Sequence, residues 1–132
     1  MTVEPHAALP HPISAPDYMP VSKLRALQLE RLVQTVQRAF SAVPYHRERL
    51  RAAGVEPGSI RSLEDLRRLP FIRKPDLRAV YPFGLLAVPR KEVARVHMSS
   101  GTTGTPVVAA YTQSDLQLWA GVMARTLAAC GV

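Results

Sequence analysis

The sequence predicts an α/β fold in which a helical N-terminal segment leads into a β-hairpin and then a further helix. Apolar residues first recur at the spacing of one helix face, at Leu29, Leu32, Val33, Val36 and Phe40. Two short β-favouring runs then flank a loop rich in Ser, Gly and Thr, and a second helical periodicity follows them. We therefore expect a disordered tail over residues 1–21, a helical segment over 22–90 and an α/β unit over 91–132.

The tail and the first two helices follow from prolines and capping residues. Five prolines stand in the first twenty residues, which contain no apolar signal-peptide region, so this stretch is predicted to be unstructured. Ser22 is the predicted cap of the first helix, and Pro44 marks the change to the next. That second, shorter helix is predicted from Tyr45 to Ala53, with Gly54 ending it.

Two brief helices are predicted between these and the hairpin. Ser62 and Asp65 stand three residues apart, which is close to a capping box, and Pro70 stops the helix that they begin. Pro75 suits the first turn of a short helix that runs through Val80.

The hairpin is predicted from two apolar runs. In residues 92–98, Ala94, Val96 and Met98 fall on one face, while His97 and its alternate neighbours fall on the other. Residues 107–111 form the second run, which is rich in β-favouring residues. The loop between the runs therefore joins two strands and is held at both ends.

The last helix is predicted to begin at a second near capping box, Thr112 with Asp115, and to stop at Gly131. Its apolar face comprises Leu116, Trp119, Ala120, Met123 and Leu127. Trp119 is expected in the core, and the single cysteine, Cys130, is expected to be a small core residue.

The loop between the strands is the candidate binding site. It comprises Ser99, Ser100, Gly101, Thr102, Thr103, Gly104 and Thr105, followed by Pro106. Glycine permits a positive φ and a close approach of the backbone to a ligand, and each hydroxyl can donate to a phosphate oxygen. Successive N–H groups in such a turn can also form an anion-binding nest. The alternative, a flexible linker, fits poorly because strands flank the loop.

The loop is neither of two common phosphate-binding motifs. Only two residues separate its glycines and Thr105 follows the second, whereas a Walker A loop needs four residues between them and a Lys–Ser/Thr afterwards. The dinucleotide fingerprint Gly-x-Gly-x-x-Gly is absent as well.

Composition argues against several other classes of protein. The net charge is +7, but basic residues are interspersed with acidic ones and aromatics make up only 6% of the chain, so no nucleic-acid platform is indicated. No apolar run approaches the length of a membrane span, and no histidines stand at metal-ligand spacing. We expect a cytoplasmic protein with no membrane, nucleic-acid or metal site of its own.

Several stretches resemble the adenylate-forming enzymes and, more closely, the phenylacetate–CoA ligase family. They comprise Leu24–Leu32, Val43–His46, Ser62–Leu66, Leu69–Phe71, Lys74–Arg78 and Tyr81–Leu85, then His97 with the loop and Tyr111–Thr112. The resemblance runs over about residues 22–132. It departs at Thr105, where these enzymes usually carry Lys.

The resemblance implies a function and its cofactors. Residues 91–132 would begin the nucleotide-binding large domain of an adenylate-forming ligase, with Ser99–Thr105 holding the phosphates of ATP. Mg²⁺ and coenzyme A would take part, the substrate would be an aromatic carboxylic acid such as phenylacetate, and the catalytic residues would lie beyond Val132. The 132 residues alone are then expected to be inactive. A homodimer is left open as an oligomeric state.

Two alternatives remain at this point. The same loop would serve an adenylating enzyme with another aromatic acid or acceptor, or it would be incidental in a non-enzymatic helical interaction module. His97 is likewise open between a hydrogen bond to a nucleotide and simple packing beside the core.

Overall fold

The computed structural model describes residues 12–99, 104 and 106–131. Four α-helices and two strands form its framework: α1 (Val21–Ala42), α2 (Pro44–Ala52), α3 (Lys74–Ala79), β1 (Val93–Met98), β2 (Val108–Thr112) and α4 (Gln113–Ala129). Short 3-10 helices lie at Pro12–Tyr18, Pro57–Ser59, Leu63–Arg68 and Arg90–Glu92. The described chain is thus the predicted helical segment followed by a hairpin and a helix.

The core of the helical segment forms where α1 crosses α2. Val36, Leu50, Val55 and Ile60 are buried together, and the partly buried side chains packed against them are Leu32, Val33, Phe40 and Leu69. The predicted apolar face of α1 therefore does point into the core. Gly54 follows Ala53, the C-cap of α2, and adopts a φ of +65°, which confirms its predicted role in ending that helix.

The start of α1 differs from the prediction. The helix begins at Val21, and Pro20 is the residue before it, so Ser22 lies inside the first turn and is not the cap. The Leu24 N–H donates to the Pro20 carbonyl at 3.0 Å, which closes that turn without a side-chain cap. The fixed φ of proline is compatible with entry into a helix, so Pro20 can stand at the N-cap position although it provides no side-chain hydrogen bond.

The turn between α2 and α3 is organised by Asp65. Its carboxylate accepts hydrogen bonds from the backbone N–H groups of Arg61 (2.9 Å) and Ser62 (3.0 Å) and from the Arg68 guanidinium (3.1 Å). These donors, the Arg61 N–H foremost, lower the pKa of Asp65 to about 2. The predicted capping box is present, although the helix that it begins is a 3-10 helix.

Part of the predicted disordered tail is structured. Pro12–Tyr18 form a 3-10 helix that lies against α4, with Ser14 buried and Asp17 paired to Arg125 at 3.4 Å. Prolines restrict the backbone and so reduce the entropy that is lost when a turn packs on a helix. Composition alone does not reveal that such a helix lies close to this turn. Residues 1–11 lie outside the described part of the chain.

The hairpin is antiparallel, as the two apolar runs predict. His97 pairs with Ala109 and Arg95 with Tyr111, while Val96 pairs with Ala110 on the opposite face. Beyond β2, the Thr112 N–H and hydroxyl both donate to Asp115 at 2.8 Å, and the Asp115 N–H donates back to the hydroxyl at 3.2 Å. The predicted capping box of α4 is confirmed.

Two predictions of burial are wrong. Trp119 keeps 45% of its surface exposed, and Cys130 is exposed. Among the described elements, the hairpin and the 3-10 helix Pro12–Tyr18 make the main contacts with α4, and Trp119 is only partly covered by them. In the same part of the chain, no helix combines the length and apolar character needed to cross a membrane.

Candidate functional site

Both ends of the candidate loop are fastened to each other. The Ser99 N–H donates to the Val107 carbonyl at 3.0 Å, and the Val107 N–H donates to Ser99 Oγ at 2.9 Å. We call this reciprocal pair the loop clamp. It continues the hairpin by one step beyond Met98 and Val108 and uses a side chain in place of a second carbonyl. These two hydrogen bonds therefore hold the two ends of the loop together at the end of the hairpin.

The clamp gives Ser99 a role that its residue type alone did not reveal. Because Ser99 Oγ accepts the Val107 N–H, its own hydroxyl hydrogen remains available to a further acceptor. Ser99 is exposed, so that acceptor can be a ligand. The signal in the sequence was a hydroxyl residue directly after a strand, a position where such side chains often bond nearby backbone.

Gly104 has the backbone conformation expected of a ligand-binding glycine. Its φ is +119°, which residues with a Cβ rarely adopt. Within the described chain, no atom beyond its neighbours lies within 4 Å of where a Cβ would stand. The backbone there is thus accessible. The other predicted site residues, Ser100, Gly101, Thr102, Thr103 and Thr105, lie outside the described residues.

Three rings pack beneath the strand end that carries the clamp. The His97 ring lies 5.1 Å from that of Tyr111 and 5.7 Å from that of Trp119, which are themselves 5.6 Å apart. His97 is half-buried between them. Packing of His97 beside the sheet is therefore the hypothesis that the contacts support, and a hydrogen bond to a nucleotide stays a prediction.

Two hollows of the described surface are lined by residues other than Ser99 and Val107. One of about 590 Å³ follows α4 beside Arg95, from Leu116 to Met123. Another of about 480 Å³ lies at the opposite end of the hairpin, between Arg38 and the start of α4. There the Thr112 N–H, and secondly its hydroxyl, hold the pKa of Asp115 below its usual range. The loop therefore stays a predicted site, on the chemistry of its residues and not on the size of a hollow.

A second polar cluster, which sequence reasoning missed, joins α2 to the chain before α3. Arg49 donates to the Phe71 carbonyl at 2.7 Å and to the Tyr45 hydroxyl at 3.3 Å, and it lies 3.8 Å from the Asp76 carboxylate. The Arg73 N–H lowers the pKa of Asp76, while burial and then Asp76 itself raise that of Tyr45. Every contact is internal, so the cluster is structural.

Metal-ligating side chains do not gather in the part of the chain that is described. No group of three or more His, Cys, Asp or Glu residues there is placed to hold a metal ion.

Known proteins match this chain closely over most of its length. Phenylacetate–coenzyme A ligase of Thermus thermophilus is 58% identical over 113 residues, which are 86% of this chain and 25% of that protein. The chain belongs to the phenylacetate–CoA ligase family. Ligases of the same name from Aromatoleum evansii and Escherichia coli are each 50% identical, over 91% and 84% of this chain. The sequence matches no protein-family model.

Solved structures agree on the fold. A crystal structure of 2-hydroxyisobutyryl-CoA ligase in complex with 2-HIB-AMP and CoA matches with a TM-score of 0.79 at 35% identity, over 86% of this chain and 25% of that one. The same enzyme in its postadenylation state with 2-HIB-AMP gives 0.77 at 33% identity. The predicted α/β fold of an adenylate-forming ligase is confirmed. The chain spans about a quarter of the length of the relatives it matches.

Proposed function

We propose that this chain supplies the phosphate-holding loop of a cytoplasmic, ATP-dependent ligase that joins phenylacetate to CoA. The overall reaction converts phenylacetate, ATP and CoA into phenylacetyl-CoA, AMP and pyrophosphate through an acyl-adenylate. The loop clamp carries the proposal, because it fixes a Ser/Gly/Thr loop between two strands in a chain that is 50–58% identical to ligases of that name.

The chemistry needs hydrogen-bond donors at the leaving group. The carboxylate attacks the α-phosphorus of ATP, the bond to the β-phosphate oxygen breaks, and negative charge grows on pyrophosphate. Donors held in place at that position stabilise the transition state more than the ground state. The CoA thiolate then attacks the acyl carbonyl, and AMP leaves with the bonding electron pair.

The described residues fit a phosphate ligand. Ser99 Oγ accepts the Val107 N–H and can still donate its own hydrogen to a phosphate oxygen, and among the described residues no atom beyond its neighbours crowds the backbone at Gly104. In the proposal Ser100, Gly101, Thr102, Thr103 and Thr105 add hydroxyl and N–H donors of the same kind. Such donors suit phosphate oxygens, and in the proposal Mg²⁺ would bind to the phosphates. There it would neutralise part of their charge.

An aromatic acid is favoured over an aliphatic one by the comparisons. The relatives named for phenylacetate are 50–58% identical to this chain, whereas the ligase named for 2-hydroxyisobutyrate is 33–35% identical. A different aromatic acid, or an acceptor other than CoA, would use the same loop.

The test is a chimera, because the chain spans only about a quarter of its relatives. This chain replaces the matching quarter of the E. coli ligase, and phenylacetate-dependent exchange of pyrophosphate into ATP is measured. We expect exchange with phenylacetate above that with 2-hydroxyisobutyrate, and AMP release that requires CoA. A folded chimera without exchange would contradict adenylation, and exchange without a CoA requirement would contradict the acceptor.

The 132-residue chain by itself serves as the control. It is expected to release no AMP above background from ATP, Mg²⁺, CoA and phenylacetate. Turnover by this chain alone would show that the loop does not depend on the rest of a ligase.

A further inference from the structure

The loop clamp departs from a regular antiparallel ladder at a single acceptor atom. In a regular hydrogen-bonded pair, two facing residues exchange N–H···O=C bonds in both directions. Here the Ser99 N–H donates to the Val107 carbonyl, but the Val107 N–H donates at 2.9 Å to Ser99 Oγ and not to the Ser99 carbonyl. The hydroxyl thus takes the place of that carbonyl. The chain can then turn out of the ladder directly after Ser99 while the two ends of the loop stay bonded.

The clamp stands where the hairpin is most easily opened. Pairing of β1 with β2 stops at Met98 and Val108, and the last pair of a hairpin frays more readily than its interior. Ser99 is exposed and Val107 is half-buried. Without the hydroxyl, the Val107 N–H regains a partner in its neighbour only if the Ser99 carbonyl turns back into the ladder. That turn would change the direction in which the loop leaves the hairpin.

We propose that Ser99 is a positioning residue for adenylation, whose hydroxyl acts through the Val107 N–H to hold the base of the phosphate loop in one geometry. The inference rests on the proposed function, because it assigns a role within that loop. It differs from a direct bond between Ser99 and a phosphate, which needs no Val107 N–H. Donors held in place before the reaction stabilise its transition state without reorganising. Opening the clamp should therefore lower kcat as well as the affinity for ATP.

The test is a double-mutant cycle in the chimera. Ser99→Ala removes the acceptor and keeps the Val107 N–H, whereas Val107→Pro removes the N–H and keeps the hydroxyl; proline is tolerated at the start of a strand. Each variant should lower kcat/KM for ATP in pyrophosphate exchange about tenfold, the scale of one intramolecular hydrogen bond. Since both changes break the same bond, the double variant should lose no more than the weaker single variant, and not the product of about a hundredfold.

Matched controls stand at the start of α1. Ser22→Ala and Val21→Pro make the same exchanges at exposed residues, and Ser22 is not the cap of that helix. The N–H of a first helical residue has no partner within its helix, and Pro20 already has the ψ of 137° that a following proline favours. Both controls should exchange pyrophosphate like the parent. Ser99→Thr retains the hydroxyl and should stay within about threefold of the parent.

A purely structural role would lower the free energy of unfolding in urea and leave the kcat and KM of the folded chimera unchanged, which would overturn the proposal. Losses that multiply in the double variant would also overturn it, as would full exchange by Val107→Pro or a loss by Ser99→Thr equal to that by Ser99→Ala.

Amide hydrogen exchange at Val107 in the 132-residue chain separates this inference from the proposed function. Ser99→Ala should speed exchange of that amide about tenfold, while Ser22→Ala leaves it unchanged. An unchanged rate in Ser99→Ala would overturn the clamp even if the chimera is active. A parent chimera without pyrophosphate exchange, beside a faster Val107 amide in Ser99→Ala, would contradict the proposed function and with it the role in adenylation, while the clamp itself would stand.

Discussion

Replacing Gly104 by alanine tests whether the loop needs the backbone conformation that it shows. No described atom beyond its neighbours would lie within 4 Å of the new Cβ, so the methyl group meets no clash in the free loop. The cost arises from the φ of +119°, which an alanine rarely adopts. A residue held in such a region costs about 1–3 kcal/mol.

If the loop must keep its conformation to hold the phosphates, this cost in free energy lowers the activity of the enzyme with ATP. About 1–3 kcal/mol corresponds to a loss of about 5- to 150-fold in kcat/KM for ATP. Gly104→Val should lose more, because a branched side chain also obstructs the approach of a phosphate. The assay is pyrophosphate exchange by the chimera, at fixed saturating phenylacetate.

Gly58→Ala is the matched control. Gly58 is exposed in the 3-10 helix Pro57–Ser59, has an ordinary φ, and has no described atom near the position of a Cβ. Exchange by Gly58→Ala should equal that of the parent chimera. If Gly104→Ala also exchanged within twofold of the parent, the argument from its φ would be refuted.

Four further results are expected. Gly84→Ala should lower the free energy of unfolding by about 1–3 kcal/mol in a urea titration, because its Cβ would stand 2.7 Å from both the Cβ and the carbonyl oxygen of Val80; an unchanged midpoint would contradict this. Thr112→Ala should cost about 1 kcal/mol through loss of the α4 cap, while Thr112→Ser retains it. The pKa of Asp65 is lowered from 3.8 to about 2, so its contribution to the free energy of unfolding is complete above pH 3.8 and is lost as the pH falls through about 2. Asp65→Asn should remove this pH dependence when unfolding is followed during an acid titration. Thr105→Lys should tighten ATP binding to the chimera in a salt-sensitive way, and a salt-insensitive loss of affinity would show that the loop is shaped around threonine.

Local patterns predicted the elements well because each is specified within a few residues. The Thr112–Asp115 box and the positive φ of Gly54 are such features, and both appear where the sequence places them. The exception is Ser22, because Pro20 occupies the N-cap position and the helix begins at Val21, one residue before the serine.

Burial was predicted less well, because it depends on what lies opposite in space. Trp119 has the spacing of a core residue, yet the described chain provides only part of the layer that would cover it. The 3-10 helix at Pro12–Tyr18 was missed for the related reason that its partner, α4, lies far away along the chain, at Gln113–Ala129. The loop was identified from residue types, whereas the reciprocal clamp between Ser99 and Val107 required coordinates.

The ring cluster of His97, Tyr111 and Trp119 contains an intrinsic fluorescent probe. Trp119 is the only tryptophan among 132 residues, so all indole emission comes from the point where α4 meets the hairpin. Its indole lies 5.7 Å from the imidazole of His97, two residues before Ser99. Emission wavelength and intensity therefore report the polarity and ring contacts of this one junction, and they do so without any attached dye.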